Sequence, residues 1–181
     1  MDRRQAKTKK AVMEAFTGLL AHRSYAAITV QEIIDEADIG RSTFYAHFET
    51  KDDLLRVLCE EIFDHVFSEE QHKEKTHDFS SGAYGIAEQV THMLYQLDDS
   101  RSYLGGILSG DGGEIFMRHF REHLKEMFDK KLKKNKNIPR DYLLNHAAQS
   151  FAETVRWWLM HGRYKPEDIC RFYMEAVPFF V

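Results

Sequence analysis

Little in this 181-residue chain suits a disulfide-braced, membrane-spanning or strand-built protein. Cysteine occurs twice, as Cys59 and Cys170, too few and too far apart for a disulfide framework or a metal-ligand spacing. Both fall on helical patterns and read as reduced packing thiols. Proline occurs three times, and alternation of β-branched residues is nearly absent, which leaves an all-α fold. No apolar run approaches the ~20 residues that a membrane span requires. The basic start lacks the apolar stretch of a signal peptide, so a cytoplasmic location and no membrane partner are expected. Internal repeats and low-complexity tracts are missing as well.

What the chain does have is enough apolar surface for a core. Hydrophobic residues make up 43% and aromatic residues 13%, which excludes disorder throughout. The net charge of −4 is unevenly spread. Residues 1–25, with Arg3, Arg4, Lys7, Lys9, Lys10 and Arg23, carry +4, and the remainder carries −8. A basic arm on an acidic body suits a protein that meets a polyanion with one end. The helix dipole favours anions at a helix start, so these cations are better explained by an external phosphate backbone.

Apolar spacing predicts about nine helices. The first runs from about Arg4 to His22 on the stripe Ala11, Val12, Ala15, Phe16, Leu19 and Leu20. A capping box, Thr29-x-x-Glu32, opens the second, with Ile28 and Ile33 at the positions of a hydrophobic staple. Asp38 stands where the turn requires a left-handed residue, and Gly40 serves as N-cap of a third helix that buries Phe44 and Phe48. Thr50-x-x-Asp53 opens a fourth helix through Leu54, Leu55, Leu58, Ile62, Phe63 and Val66. A fifth ends near Leu97, a short one covers Tyr103 to Leu108, and residues 110–113 read as a loop. An amphipathic helix spans Glu114 to Lys134, its lysine-rich end suited to the dipole. Pro139 and Pro166 open the last two, the first of them ending near Gly162.

Residues 29–51 carry the chemistry. Two short helices joined by a tight turn leave Arg41, Ser42, Thr43, Tyr45 and His47 facing outward once Phe44 and Phe48 are buried. Arginine forks onto a guanine edge, and hydroxyls and a phenol hold phosphates and base edges. This segment resembles the helix-turn-helix of the TetR family of bacterial transcriptional regulators, over roughly residues 8–55. The string from Arg41 to Phe48 is also similar to the branch that includes regulators of dihydroxyacetone kinase operons. Asp38 and Gly40, where the family usually has Gly and Ser or Thr, and Glu49, where a lysine is usual, depart from its pattern.

The resemblance implies a helix-turn-helix DNA-binding domain at residues 1–50 and a helical effector-binding and dimerisation domain at 51–181. It implies a sequence-specific regulator, a repressor in expectation, acting as a homodimer on a palindromic operator of double-stranded DNA and modulated by a small-molecule effector. Gln31, Arg41, Ser42 and Thr43 then fall at base-facing positions, and Thr29, Tyr45, His47 and Lys51 at phosphate-facing ones. His92, Met93, Tyr103, Phe116, Phe120 and Trp157 are the candidates for an effector pocket. Phe151, Trp158, Phe172, Tyr173 and Val177 are those for the dimer interface, because the last helix carries apolar area, extended by Phe179 to Val181, beyond one stripe.

Two other classes compete. His119-x-x-Glu122-His123 matches an inverted zinc-peptidase pattern, which would make the chain a zinc-dependent hydrolase. It needs a third ligand that no downstream motif supplies, so no catalytic residue, metal or cofactor is assigned. A helical protein–protein adaptor with an idle helix-turn-helix is the other.

Overall fold

Helical spacing of apolar residues becomes, in the computed structural model, nine α-helices among the residues described, which are 3–67, 85–133 and 135–177. They are α1 (Arg3–Leu20), α2 (Val30–Glu36), α3 (Arg41–Tyr45), α4 (Lys51–Phe67), α5 (Ile86–Asp99), α6 (Arg101–Leu108), α7 (Gly112–Asp129), α8 (Arg140–His161) and α9 (Pro166–Ala176). A 3-10 turn, Tyr25–Ala27, links α1 to α2. None of these helices is long and apolar enough to cross a membrane. Phe179, Phe180 and Val181, and the side chains of Arg3, Arg4 and Val66, lie outside the described residues.

The chain forms two compact units, each discontinuous in sequence. The first comprises Met1–Glu60 and Ser100–Met117, the second Glu61–Asp99 and Arg118–Val181. In the first unit Val12, Phe16 and Leu20 of α1 are buried with Ile28, Ile33, Phe44, Phe48, Leu54 and Leu55. The capping box on α2 is complete, since Thr29 accepts from the Glu32 N–H and the Glu32 carboxylate accepts from the Thr29 N–H. Asp38 has φ 51°, the left-handed conformation the turn was expected to require. Gly40, with φ −77° and ψ 149°, is the N-cap of α3.

Helix α6 packs on α1. The approach is as close as backbone allows, because a Cβ at Gly106 would lie 2.1 Å from the Leu20 carbonyl oxygen and 2.6 Å from that of Arg23. Gly112, expected in a loop, instead starts α7 against the Tyr25 ring, where a Cβ would fall 2.8 Å from Cγ. These glycines are packing residues, so the reading of 110–113 as plain loop is corrected at its second half.

In the second unit an aromatic cluster fills the core. Phe63 stacks on Phe120 at 5.5 Å, Phe120 meets Phe151 at 6.4 Å, and Phe151 meets Tyr173 edge-on at 4.7 Å. Burial pushes the Tyr173 phenol up to about 12, and its O–H donates to the Ala147 carbonyl at 2.7 Å. Helix α7 ends at Asp129, so Lys130, Lys131 and Lys133 follow its last turn rather than lying in it. Arg140 does the capping, donating to the Leu132 carbonyl at 3.1 Å and also to that of Asp129. Helix α8 stops where Gly162 turns left-handed, φ 62°, and donates its N–H to the Trp158 carbonyl.

Candidate nucleic-acid interface

The short helix α3 is held by what it buries. Phe44 is fully buried and Phe48 is 2% exposed, their rings 5.7 Å apart. With that side fixed inward, Arg41, Ser42 and Tyr45 are exposed and Thr43 and His47 half-buried. Tyr45 sits edge-on to Phe44 at 5.4 Å, which fixes its ring and leaves it 48% exposed. Ile39, expected to plug the turn, is half-buried, and its N–H closes the turn onto the Ile34 carbonyl at 3.2 Å.

Arg41, like Arg118, Arg121 and Arg163, differs from the arginines that pair within the protein. Arg23 pairs with Glu32, Arg56 with Asp53 and Glu60, Arg140 with Asp129, and Arg171 with Asp168. Among the described residues Arg41 makes no hydrogen bond or ion pair. A guanidinium left unpaired on the first turn of an exposed helix is available for a base edge or a phosphate. The arm in front contributes Lys7, exposed and equally without a partner among the described residues, and Lys10, in a loose 3.6 Å pair with Glu14.

Three expected contacts are partly committed inside the protein. The Thr29 hydroxyl serves the capping box, and the Gln31 amide donates to Asp35 at 2.8 Å. The Glu32 carboxyl in that box is held down to about 2, first by the Arg23 guanidinium and then by the Thr29 N–H. Lys51 departs furthest from expectation. Its ammonium turns inward, donating to the Tyr25 carbonyl at 2.8 Å and the Ile28 carbonyl at 2.6 Å, and it lies 4.3 Å from the Tyr25 ring centroid. Burial lowers its pKa, with Asp52 and Glu32 acting in the opposite sense. The phosphate role expected for this charge is therefore corrected to an internal lock, because the ammonium is held by the carbonyls at the start of the 3-10 turn and just beyond its end. Tyr25 completes the lock with its O–H on Asp52, and burial with that carboxylate raises its pKa. Sequence spacing does not reveal this node, since Tyr25 and Lys51 are far apart in the chain.

The chain matches two family models, "Bacterial regulatory proteins, tetR family" over residues 12–58 and "Transcriptional regulator C-terminal region" over residues 84–177. It belongs to the TetR family. A TetR transcriptional regulator from Streptococcus agalactiae 2603V is 33% identical, and its structure superposes with a TM-score of 0.75 over 97% of this chain and 96% of that one. The dhaKLM operon transcriptional activator DhaS of Lactococcus lactis is 23% identical over 161 residues, 86% of this chain and 81% of that one. The transcriptional regulator YxbF of Bacillus subtilis is 39% identical over 71 residues, which are 36% of this chain and 19% of YxbF. This TetR-family protein is thus a transcriptional regulator with a helix-turn-helix DNA-binding domain, and the matched residues 12–58 include α2, α3 and the turn between them.

The remaining expected sites sit as follows. Met93, Phe116 and Phe120 are buried at 1% exposure or less, and His92 and Tyr103 are half-buried. Tyr103 and Phe116 belong to the first unit and the others to the second. The two tryptophans differ in burial. Trp158 is fully buried and its indole N–H donates to the Tyr164 carbonyl at 2.8 Å, so it is core and not interface. Trp157, one step round the helix, is 43% exposed and stacked on His161 and Tyr164. Phe151 and Tyr173 are likewise corrected from interface to core, and Val177 is 8% exposed, while Phe172 stays at the surface. His119 lies 3.6 Å from Glu122, and the His123 ring packs 4.9 Å from Phe63. Among the described residues no three His, Cys, Asp or Glu side chains are grouped to hold a metal ion.

Proposed function

We propose that this regulator binds a palindromic operator as a homodimer through Arg41, Ser42, Thr43 and Tyr45, with its affinity set by a small-molecule effector. The observation that carries the reading is the unpaired Arg41 on an exposed α3 whose opposite side is pinned by Phe44 and Phe48. A dimer is supported by an exposed aromatic run on the second unit. Trp157 stacks 5.8 Å from Tyr164, which meets Phe172 edge-on at 5.3 Å, and Met160 is 55% exposed. An apolar surface of this kind marks a protein interface. Two readers reach successive major grooves when about 34–36 Å apart, so a small effector-driven tilt of α4 would change operator affinity.

Repression is the sign we propose first. Activation is the second reading, favoured by the likeness to DhaS, which is named an activator. The test is selection of genomic DNA fragments on the purified protein, followed by transcription from the recovered promoter with and without it. Arg41→Ala should then weaken the selected site by about 1–3 kcal/mol and relax preference at one base pair per half-site, with unchanged melting. Equal loss on every DNA sequence would remove Arg41 from base reading.

A further inference from the structure

The interior of the described residues holds one polar side chain that the fold leaves unanswered. Gln96, on α5, is 9% exposed and is the sole buried polar or charged residue among them. Neither end of its amide has a hydrogen-bond partner among the described residues. Other buried polar groups are answered, as the indole of Trp158 is by the Tyr164 carbonyl and the phenol of Tyr173 by the Ala147 carbonyl. A buried amide offers two donors and an acceptor, and taking it out of water without replacing those bonds is unfavourable. Native proteins bond the large majority of such groups, and water, an ion or a ligand is among the partners that complete the exceptions.

Position along α5 narrows the choice. Helical spacing sets Gln96 beside Met93 and His92, one turn back, and more than a quarter turn from Ala87 and Thr91. The α9 side of α5 is defined by the Cys170 thiol, which donates to the Ala87 carbonyl at 3.3 Å. Gln96 therefore lies outside the stripe that α9 occupies. A methionine neighbour supplies soft apolar surface that adapts to a guest. With no buried ionised group among the described residues, an ionic guest would lack a counter-charge.

We propose that Gln96 is the polar anchor of the effector site, and that the effector class is an uncharged, largely apolar molecule bearing one hydrogen-bonding carbonyl, amide or hydroxyl. This rests on the effector-responsive reading above. A site built to hydrogen-bond its ligand rejects an analogue lacking the polar group far more strongly than one of altered size.

The test uses the full chain, with benzamide, phenol and cyclohexanone as neutral probes and benzoate and benzylammonium as charged ones. The side-chain NH2 signals of Gln96 are identified by their loss in Gln96→Met, which keeps the length and unbranched shape, with Gln96→Leu as a second variant. At least one neutral probe should move those signals and raise the melting temperature, with neither charged probe doing so. Both variants should melt no lower than the parent, since they remove an unmet polar group, and should bind the active probe about tenfold or more weakly. Static Gln96 signals with every neutral probe, binding of the charged probes as tight as the neutral ones, or an undiminished response in both variants would each overturn the assignment. Variants that melt well below the parent would mean the amide is satisfied structurally, which also overturns it. Operator binding separates the two readings. A probe that binds at Gln96 and leaves DNA affinity unchanged sustains this site and removes the effector-responsive reading. A molecule that changes DNA affinity equally in parent and Gln96→Met sustains that reading and removes Gln96.

Discussion

Replacing Lys51 by methionine keeps the aliphatic stem and removes only the charge that locks the first unit. The lock consists of two charge-assisted hydrogen bonds, 2.8 Å to the Tyr25 carbonyl and 2.6 Å to the Ile28 carbonyl, and a contact 4.3 Å over the Tyr25 ring. Hydrogen bonds to a charged group are worth about 1.5–3 kcal/mol each, and a partly exposed cation–π contact about 0.5–1 kcal/mol. Lys51 is half-buried, so water replaces part of what is lost, and the net cost should be about 2–3 kcal/mol. For a protein of this size that is roughly 4–12 °C in melting temperature. The Ile28 carbonyl directly precedes Thr29, so freeing it should also loosen the start of α2. The assays are denaturation followed by circular dichroism, and DNA binding measured across salt concentration. A lock predicts lower stability with an unchanged salt slope, once binding is measured where the variant is folded. A phosphate contact predicts the reverse, unchanged stability and a slope reduced by about one. The second result would refute the inward assignment.

Gly106→Ala should cost about 1–3 kcal/mol in thermal melts, because its Cβ meets two backbone oxygens, whereas Gly105→Ala, with nothing within 4 Å, should be neutral or stabilising. Equal effects would mean that α6 does not press on α1 there. Phe172→Glu, at a residue 37% exposed, should yield a monomer of unchanged helix content by light scattering, and an unaltered dimer mass would place the interface elsewhere. Glu32 has a folded pKa of about 2, below its unfolded value, so its contribution is complete above about pH 5 and is lost as pH falls toward 2. Glu32→Gln should therefore be less stable than the parent at neutral pH and match it near pH 2, and a constant gap across that range would contradict the pairing with Arg23.

Local rules were legible where a few neighbouring residues decide the outcome. The Thr29–Glu32 box, the left-handed Asp38, the Gly40 cap and the buried Phe44–Phe48 pair all follow from short spacings. Both proline-initiated helices and the stop at Gly162 follow in the same way. What escaped depends on partners distant in sequence. Periodicity says that Trp157 and Trp158 face differently and sets Trp158 on the stripe of Phe151 and Val155, but the Tyr164 carbonyl that receives its indole N–H is not legible from spacing. A lysine at a helix start suggests phosphate, and the carbonyls at residues 25 and 28 claim it instead. The lysines after Asp129 suggested a dipole contact, whereas Arg140 reaches back to close α7. Gln96 left one legible trace, a polar residue three positions after Met93 in an otherwise apolar stripe.

The discontinuity of the first unit has a consequence for how the protein is made. Its inner wall, Ser100–Met117, is synthesised only after the intervening residues 61–99. At about 5–20 residues per second, roughly 3–11 s separate emergence of Glu60 from that of Met117. During that interval the nascent reader lacks the Gly106 and Gly112 packing that closes on Leu20 and Tyr25, and its apolar side is open to the crowded surroundings of the ribosome. Grafting the first 60 residues onto another protein would make that interval permanent, so a portable reader must carry the α6–α7 corner with it.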